Sequence, residues 1–152
     1  MSETNLLDEL QWRGLIHQST DEAGLRELLD SGMQTVYIGF DPTASSLHAG
    51  SLMQLMMLRR YQQAGHRPIA LVGGATGMIG DPSGKSAERN LLSAEQLQEN
   101  LAGIEAQMRR YLSFEGPNAA LLLNNFDWMR DYGYLEFLRD IGKNFPVGAM
   151  MG

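Results

Sequence analysis

A polar turn that leads into a His, a Gly and an apolar run stands at residues 41–51, DPTASSLHAGS. The Thr43 hydroxyl and the His48 imidazole can both donate a hydrogen bond to an anion. A helix that begins near residue 49 would point the positive end of its dipole at the same space. Gly50 would let a bulky planar group lie against the backbone. These residue types predict an anion site, although they also suit an ordinary helix start.

A second candidate for phosphate chemistry is the Gly-rich segment GGATGMIGDPSGKS, at residues 73–86. A P-loop needs a Gly five residues before Gly84, and Ile79 stands there. A dinucleotide fingerprint also fails, because Gly73 is followed two places on by Ala75. The segment alone suits a flexible turn after a strand. Asp81 is a candidate ligand residue, because open α/β sheets bind ligands beyond the carboxyl ends of their strands.

These residues need a sheet to position them, and the chain predicts a parallel one. Residues 35–40 (TVYIGF) and 68–74 (PIALVGG) are apolar runs typical of strands buried on both faces. The helix-forming run between them ends at Gly65, so residues 35–74 form a β-α-β unit. The residues of the candidate anion site then fall at the carboxyl edge of this sheet.

Further elements flank this unit. Two short helices come first, the second with a Ser19/Glu22 capping box and a terminating Gly32. A Ser93/Gln96 capping box begins a later helix, whose apolar stripe consists of Leu97, Leu101, Ile104, Met108 and Leu112. Residues 119–125 (AALLLNN) predict a third buried strand, and GYLEFLRDIG predicts a helix that stops at Gly142. The fold class is therefore α/β.

Composition excludes several functions. The 152 residues carry a formal charge of −6 and no long basic run, unlike a free-standing nucleic-acid-binding domain. The chain has no Cys, and its three His residues lack metal-ligand spacing, which predicts no protein-bound metal. No signal segment and no apolar run long enough for a bilayer occurs, so the expected location is cytoplasmic, without a membrane partner.

The candidate anion site resembles the signature of class I aminoacyl-tRNA synthetases, a His-x-Gly-His tetrapeptide after the first strand of a Rossmann-like domain. Three segments, YIGFDPTASSLHAGS, RRYQQAGHRPIALVGGATGMIGDPSGKSAER and NNFDWMRDYGYLEFLRDIGKNF, are similar to the N-terminal half of bacterial tyrosyl-tRNA synthetases. The resemblance implies an N-terminal helical segment at residues 1–34. Residues 35–152 would be the first half of a Rossmann-like catalytic domain, truncated here.

The resemblance assigns roles on the amino-acid side. It implies that Tyr37 hydrogen-bonds the substrate phenol and that Asp81, with Thr76, holds the substrate ammonium. The tyrosine-binding residues that it implies are Tyr37, Gly39, Asp41, Thr76, Asp81 and Asn125. From residue type alone, Tyr37 would otherwise be an interior Tyr bonded to the backbone, and Asp41 a turn residue before Pro42.

On the nucleotide side, the resemblance implies ATP as a substrate, with Mg²⁺ in solution. It places Thr43 and His48 at the departing phosphate, and Lys85 and Arg89 on the pyrophosphate side. The catalytic residues implied are Thr43, His48, Ser51, Lys85 and Arg89, and the ATP-binding residues are Gly39, Asp41, Thr43, His48, Gly50 and Ser51. Without the resemblance, His48 suits a position beside a helix N-cap, and Lys85 and Arg89 suit a solvated loop and helix face.

The chain departs from the family pattern in two ways. Ser51 stands where the family has His or Asn, and we expect this shorter side chain to reach the ATP ribose only through water and to weaken nucleotide binding. The second signature, Lys-x-x-Lys-Ser/Thr, and the anticodon-binding regions are absent. The leading hypothesis is therefore a fragment of an enzyme that charges tRNA(Tyr) as a homodimer. The alternatives are an inactive synthetase-like binding module and a purely structural α/β domain.

Overall fold

The computed structural model describes residues 5–79 and 93–150, which form three strands and a set of flanking helices. The strands are β1 (Thr35–Phe40), β2 (Arg67–Val72) and β3 (Leu121–Asn124). The helices are α1 (Leu6–Trp12), α2 (Glu22–Asp30), α3 (Ala49–Gln63), α4 (Gly74–Ile79), α5 (Ala94–Met108), α6 (Phe126–Met129), α7 (Tyr134–Asp140) and α8 (Val147–Met150), with a 3₁₀ turn at Gly142–Asn144. No helix among the described residues is long and apolar enough to span a bilayer.

The sheet has the predicted parallel topology. Its strand order is β1-β2-β3, and both neighbouring pairs are parallel. Phe40 pairs with Val72, and Val72 pairs with Asn124, so the three strands end in register. The segments that follow them therefore begin at one edge of the sheet, which confirms the predicted α/β class and the predicted edge.

The prediction that the first two strands are buried on both faces is wrong. Alternate side chains of β1 face a core formed with α3 and α5, whereas Thr35, Tyr37 and Gly39 are exposed. The second face of β2 is only half-buried. Apolar composition indicates that a strand can be buried, but the neighbouring elements decide whether both of its faces are covered. Among the described residues, the core helices cover one face of the sheet.

The main core contains the stripe predicted for α5. Its members are all buried: Leu97, Leu101, Ile104, Met108 and Leu112. They pack against Leu55 and Leu58 of α3 and against the inner face of the sheet. The Ser93/Gln96 capping box is also confirmed, since the Gln96 amide donates to Ser93 Oγ at 3.2 Å and the Ser93 amide to Gln96 Oε1 at 3.4 Å. This long helix is thus held rigidly beside the sheet.

The two N-terminal helices form as predicted, but the cap of the second is not Ser19. Asp21 is the N-cap of α2, and its carboxylate accepts the Gly24 amide at 2.9 Å. Asp21 is adjacent to the first helical residue, so its short side chain reaches the third amide of the helix. The predicted termination is confirmed, because Gly32 follows with φ +136°. Both helices pack on α3 through a small second core.

Several predicted ends shift by one or a few residues. The second strand ends at Val72, because Gly74 already begins α4. The third strand is shorter than residues 119–125, and its side chains are half-buried or exposed. Helix α7 ends at Asp140, two residues before the predicted Gly142, and the 3₁₀ turn continues the chain. Helix ends commonly fray in this way, and the topology is unaffected.

A pH dependence of stability is expected from His66, which is buried before β2. Its Nδ1 accepts the Gln34 amide at 3.2 Å, and burial lowers the pKa of the ring below its ordinary 6.5. The unfolded chain therefore binds the proton more readily than the folded one. The contribution of neutral, buried His66 to the free energy of unfolding is therefore complete above pH about 6.5. It is lost as the pH falls through the lower pKa of the folded state. Urea denaturation between pH 7.5 and pH 5 should show a flatter pH dependence for His66→Asn than for the unmodified protein.

The matched control is His17→Asn, which removes an exposed imidazole. Its stability profile should follow that of the unmodified protein. Parallel profiles for His66→Asn and the unmodified protein would contradict the assignment.

Candidate functional site

The segment after β1, residues 41–48, is an irregular loop that crosses the carboxyl edge of the sheet. Its first turn is closed by the Thr43 amide, which donates to the Asp41 carbonyl at 2.9 Å. Pro42 is fully buried beneath this turn, while Asp41 and Thr43 are exposed. The polar groups therefore face solvent and the apolar ring anchors the loop. We call residues 41–48 the signature loop.

His48 ends the signature loop as the N-cap of α3, so the predicted helix start is confirmed and the cap is His48 itself. Its Nδ1 accepts the Ser51 amide at 3.3 Å, and its Nε2 lies 3.2 Å from Ser51 Oγ. Because Nδ1 accepts, the neutral ring carries its proton on Nε2. That N–H can donate to Ser51 Oγ, or to an anion in its place. The first-turn amides and the dipole of this 15-residue helix favour the same charge.

The second and third residues after the cap, Gly50 and Ser51, contact the His48 imidazole. Ser51 is buried, and its hydroxyl already lies within hydrogen-bond distance of His48. A Cβ on Gly50 would come within 3.0 Å of His48 Cε1, so the planar group that lies against Gly50 in this structure is the His48 ring. The predicted contacts of Gly50 and Ser51 with ATP remain predictions. The geometry adds a role in which both residues orient His48.

The chain after β2 turns at once into α4 and is held there by two Asn side chains that follow β3. Asn124 Oδ1 accepts the Gly74 amide at 3.1 Å, and Asn125 Oδ1 accepts the Ala75 amide at 2.7 Å. Asn125 Nδ2 also donates to Thr76 Oγ1 at 3.3 Å. These bonds satisfy amides that the start of a helix leaves unpaired. The segment predicted as a flexible turn is therefore helical up to Ile79.

Gly73 lies where the segments that follow β1 and β2 meet. A Cβ at this position would overlap Thr76 Oγ1 and would lie 3.0 Å from Asp41 Oδ1. The absence of a side chain thus leaves room for Thr76 and Asp41, which both lie beside the backbone of Gly73. Together with the bond from Asn125 to Thr76, this joins three predicted site residues in one polar cluster. We call Asp41, Thr76 and Asn125 the edge cluster.

The remaining predicted site residues lie either on the exposed face of β1 or outside the described residues. Tyr37 is 70% exposed and shares the open face of β1 with Gly39. The alternative of an interior, backbone-bonded Tyr is therefore wrong. Asp81, Lys85 and Arg89 lie outside the described residues. Within the described ranges, no group of three or more His, Asp and Glu residues is placed to hold a metal ion.

Sequence reasoning missed the residues that support the site from outside its motifs. Asn124 falls inside the predicted third strand, yet its side chain accepts the Gly74 and Phe126 amides. On α5, Asn100 and Gln107 hydrogen-bond backbone groups of the signature loop. A signal was present in the sequence, because both are polar residues beside an apolar stripe. Their partners are 50 or more positions away, however, and spacing along the chain does not reveal them.

Several known proteins are similar to this chain. A tyrosine–tRNA ligase of Rhodopirellula baltica is 76% identical over 148 residues, which are 97% of this chain and 34% of the relative. A tyrosine–tRNA ligase of Chromobacterium violaceum is 58% identical over 151 residues, 99% of this chain and 36% of the relative. The chain thus spans about a third of the length of these curated relatives.

Solved structures show the same relationship. The C-terminally truncated mitochondrial tyrosyl-tRNA synthetase of Coccidioides posadasii superposes with a TM-score of 0.78 at 27% identity, covering 99% of this chain and 43% of that one. Its counterpart from Aspergillus nidulans gives a TM-score of 0.76 at 29% identity, over 99% of this chain and 45% of that one. The family model described as tRNA synthetases class I (W and Y) matches residues 30–152. With the fold, the sequence and the helix-capping His in agreement, this chain belongs to the class I tRNA synthetases of the tryptophan and tyrosine group.

Proposed function

We propose that this chain is the N-terminal catalytic portion of a tyrosine–tRNA ligase, which forms tyrosyl-adenylate from tyrosine and ATP and then charges tRNA(Tyr). The observation that carries the proposal is the meeting of two unlike sites at one sheet edge. The edge cluster offers a carboxylate and neutral polar groups for an amino acid. The His48-capped start of α3 offers donors for phosphate. The names of the 76% and 58% identical relatives support an enzyme over an inactive binding module.

The chemistry proposed for the first step is attack of the tyrosine carboxylate on the α-phosphate of ATP. An oxygen–phosphorus bond forms to the carboxylate, and the bond to the leaving pyrophosphate breaks. The carboxylate is already ionised at neutral pH, so the enzyme needs no general base. Catalysis then consists of aligning two anions and stabilising the charge that moves to the phosphate oxygens. Mg²⁺ bound to ATP would neutralise part of that charge.

The proposed roles divide the site between its two substrates. On the amino-acid side, Tyr37 bonds the phenol, Gly39 lines the slot, and Asp81 and Thr76 hold the ammonium. Asn125 is proposed to support Thr76, since its amide donates to the Thr76 hydroxyl at 3.3 Å. Asp41, 3.0 Å from the Cβ position of Gly73, would lie between the amino acid and the ribose.

On the nucleotide side, Thr43 and the Nε2–H of His48 are proposed to contact the departing phosphate, because both are exposed on the signature loop. Gly50 and Ser51 would flank the nucleotide. Lys85 and Arg89 are proposed to approach the pyrophosphate from the other side. Each role belongs to a residue type that can donate to an anion or leave room for one.

A homodimer in the cytoplasm is part of the same proposal. Large apolar side chains are exposed near the end of the described chain, among them Tyr134 (75%), Leu135 (78%) and Phe145 (60%). Neighbouring exposed apolar groups of this size favour contact with another protein surface. A second copy of the full-length enzyme is the partner that we propose for them. The cytoplasm is where an enzyme that supplies charged tRNA for translation would act.

Tyrosine-dependent exchange of pyrophosphate into ATP tests the proposal. The assay uses the full-length enzyme, meaning this chain joined to the remaining part that its relatives contain. Exchange should depend on tyrosine and stay near background with tryptophan, the other amino acid of the matched family. A site that bonds the substrate hydroxyl discriminates strongly against a substrate without it, by about 10⁴-fold or more. Exchange with tryptophan alone would overturn the assignment.

A further inference from the structure

One face of α5 contacts the signature loop at three points. Asn100 Nδ2 donates to the Pro42 carbonyl at 3.0 Å. The Leu47 amide donates to Gln107 Oε1 at 2.9 Å. Between these two bonds, a Cβ on Gly103 would overlap the Ser45 carbonyl oxygen, so the loop backbone lies directly on the helix there. The spacing of three and four residues places all three contacts on one side of the helix.

The loop depends on these contacts because it has little structure of its own. Residues 41–48 belong to neither β1 nor α3, and Thr43 makes a local backbone bond to Asp41. The Pro42 ring is buried against Gly77 of α4, whose Cβ position lies 3.0 Å from Pro42 Cγ. Helix α5 itself is fixed by its buried stripe. It therefore acts as a rigid support under a short irregular segment.

We propose that Asn100, Gly103 and Gln107 are positioning residues, which act through the signature loop to hold Thr43 and His48 where ATP activation needs them. The proposal rests on the proposed function and adds to it residues that contact neither substrate. The first bond lies next to Thr43, and the last lies next to His48. A shift of the loop by about 1 Å would misplace both donors, and misplacement of this size can cost roughly 10²-fold in rate.

The Gln107 acceptor gives the sharpest test. Gln107→Leu removes the oxygen that receives the Leu47 amide, whereas Gln107→Glu keeps an oxygen in nearly the same place. In the full-length enzyme we expect Gln107→Leu to lower kcat for pyrophosphate exchange roughly tenfold, with the KM for tyrosine changed less than about twofold. Gln107→Glu should restore most of kcat. The matched control is Gln98→Leu, the same change at an exposed position of the same helix.

Gly103→Ala tests the close approach without removing a hydrogen bond. The added Cβ would overlap the Ser45 carbonyl oxygen, which is a backbone atom, so the loop must move and the melting temperature should fall although Ala favours the helix more than Gly does. We expect kcat to fall by a similar factor, because the new methyl group displaces the loop at Ser45. Unchanged kcat in both Gln107→Leu and Gly103→Ala would overturn the proposal, as would an equal loss in Gln107→Glu and Gln107→Leu.

Hydrogen exchange separates this proposal from the proposed function. The Leu47 amide should exchange slowly in the unmodified enzyme and in Gln107→Glu, and markedly faster in Gln107→Leu, whatever reaction the enzyme catalyses. Slow exchange in all three would show that Gln107 does not hold the loop, and the proposal would fail. If the amide protection pattern is as predicted but pyrophosphate exchange does not depend on tyrosine, only the proposed function is contradicted.

Discussion

Replacing His48 with Ala is expected to lower kcat for tyrosine-dependent pyrophosphate exchange by the full-length enzyme about 10²- to 10³-fold. The physical reason is the loss of the donor that we propose for the departing phosphate, and donors of this kind are typically worth that factor. In the structure, Nδ1 accepts the Ser51 amide and leaves the proton on Nε2. Single-turnover measurement of adenylate formation would show whether the chemical step is the one that slows.

His48 is also the N-cap of α3, so this prediction needs a variant that separates the two roles. Asn is among the strongest N-cap residues, and His48→Asn should preserve the helix start while removing the imidazole. We expect His48→Asn to be more stable than His48→Ala and still strongly impaired. Activity of His48→Asn close to that of the unmodified enzyme would show that the residue acts only as a cap.

Two further variants locate the effect. Ser51→Ala removes the hydroxyl near Nε2 but leaves the amide that bonds Nδ1, so we expect a loss well below that of His48→Ala. His17→Ala removes an imidazole that is exposed in the N-terminal segment and should leave kcat unchanged. If His17→Ala lowered kcat as much as His48→Ala does, the loss could not be attributed to the proposed phosphate contact of His48.

The sequence predicted those parts of the fold that depend on local chemistry. The apolar stripe of α5, its Ser93 cap and the strand at Thr35–Phe40 follow from periodicity and from residues a few positions apart. Asp21 rather than Ser19 caps α2, because both are preferred N-cap residue types and only the position of the first helical turn decides between them. Burial of β1 on both faces was wrong because apolar composition does not specify which elements cover a strand.

The candidate site could likewise be predicted only where it depends on local sequence. The signature loop and the capping His48 could be predicted, because a polar turn before a helix is a local pattern. The helical start at Gly74 could not, since it depends on Asn124 and Asn125, which join it only when β3 pairs with β2. The support from Asn100 and Gln107 also requires the packing of α5 beside the sheet. Contacts between distant segments arise from the folded topology, and a single sequence does not display them.

Gly73→Ala is expected to impair tyrosine binding by the full-length enzyme. Its Cβ would overlap Thr76 Oγ1 and come within 3.0 Å of Asp41 Oδ1. Thr76 would have to rotate away, which would break its bond with Asn125. Overpacking of this kind costs about 1–3 kcal/mol of stability. We expect the dissociation constant for tyrosine, measured by calorimetry on the full-length enzyme, to rise tenfold or more, by about 1.4 kcal/mol.

The clash with Thr76 can be tested by a double-mutant cycle. Gly73→Ala combined with Thr76→Ala removes the overlapping hydroxyl, so the two stability losses should be less than additive, with a coupling of about 0.5–3 kcal/mol for residues in contact. The matched control is Gly133→Ala, where an added Cβ meets nothing within 4 Å and φ is −68°. That variant should bind tyrosine normally. The prediction would be contradicted if the stability losses in the cycle are additive and Gly73→Ala binds tyrosine as well as the unmodified enzyme. The close approach at Gly73 would then have no effect on the proposed tyrosine site.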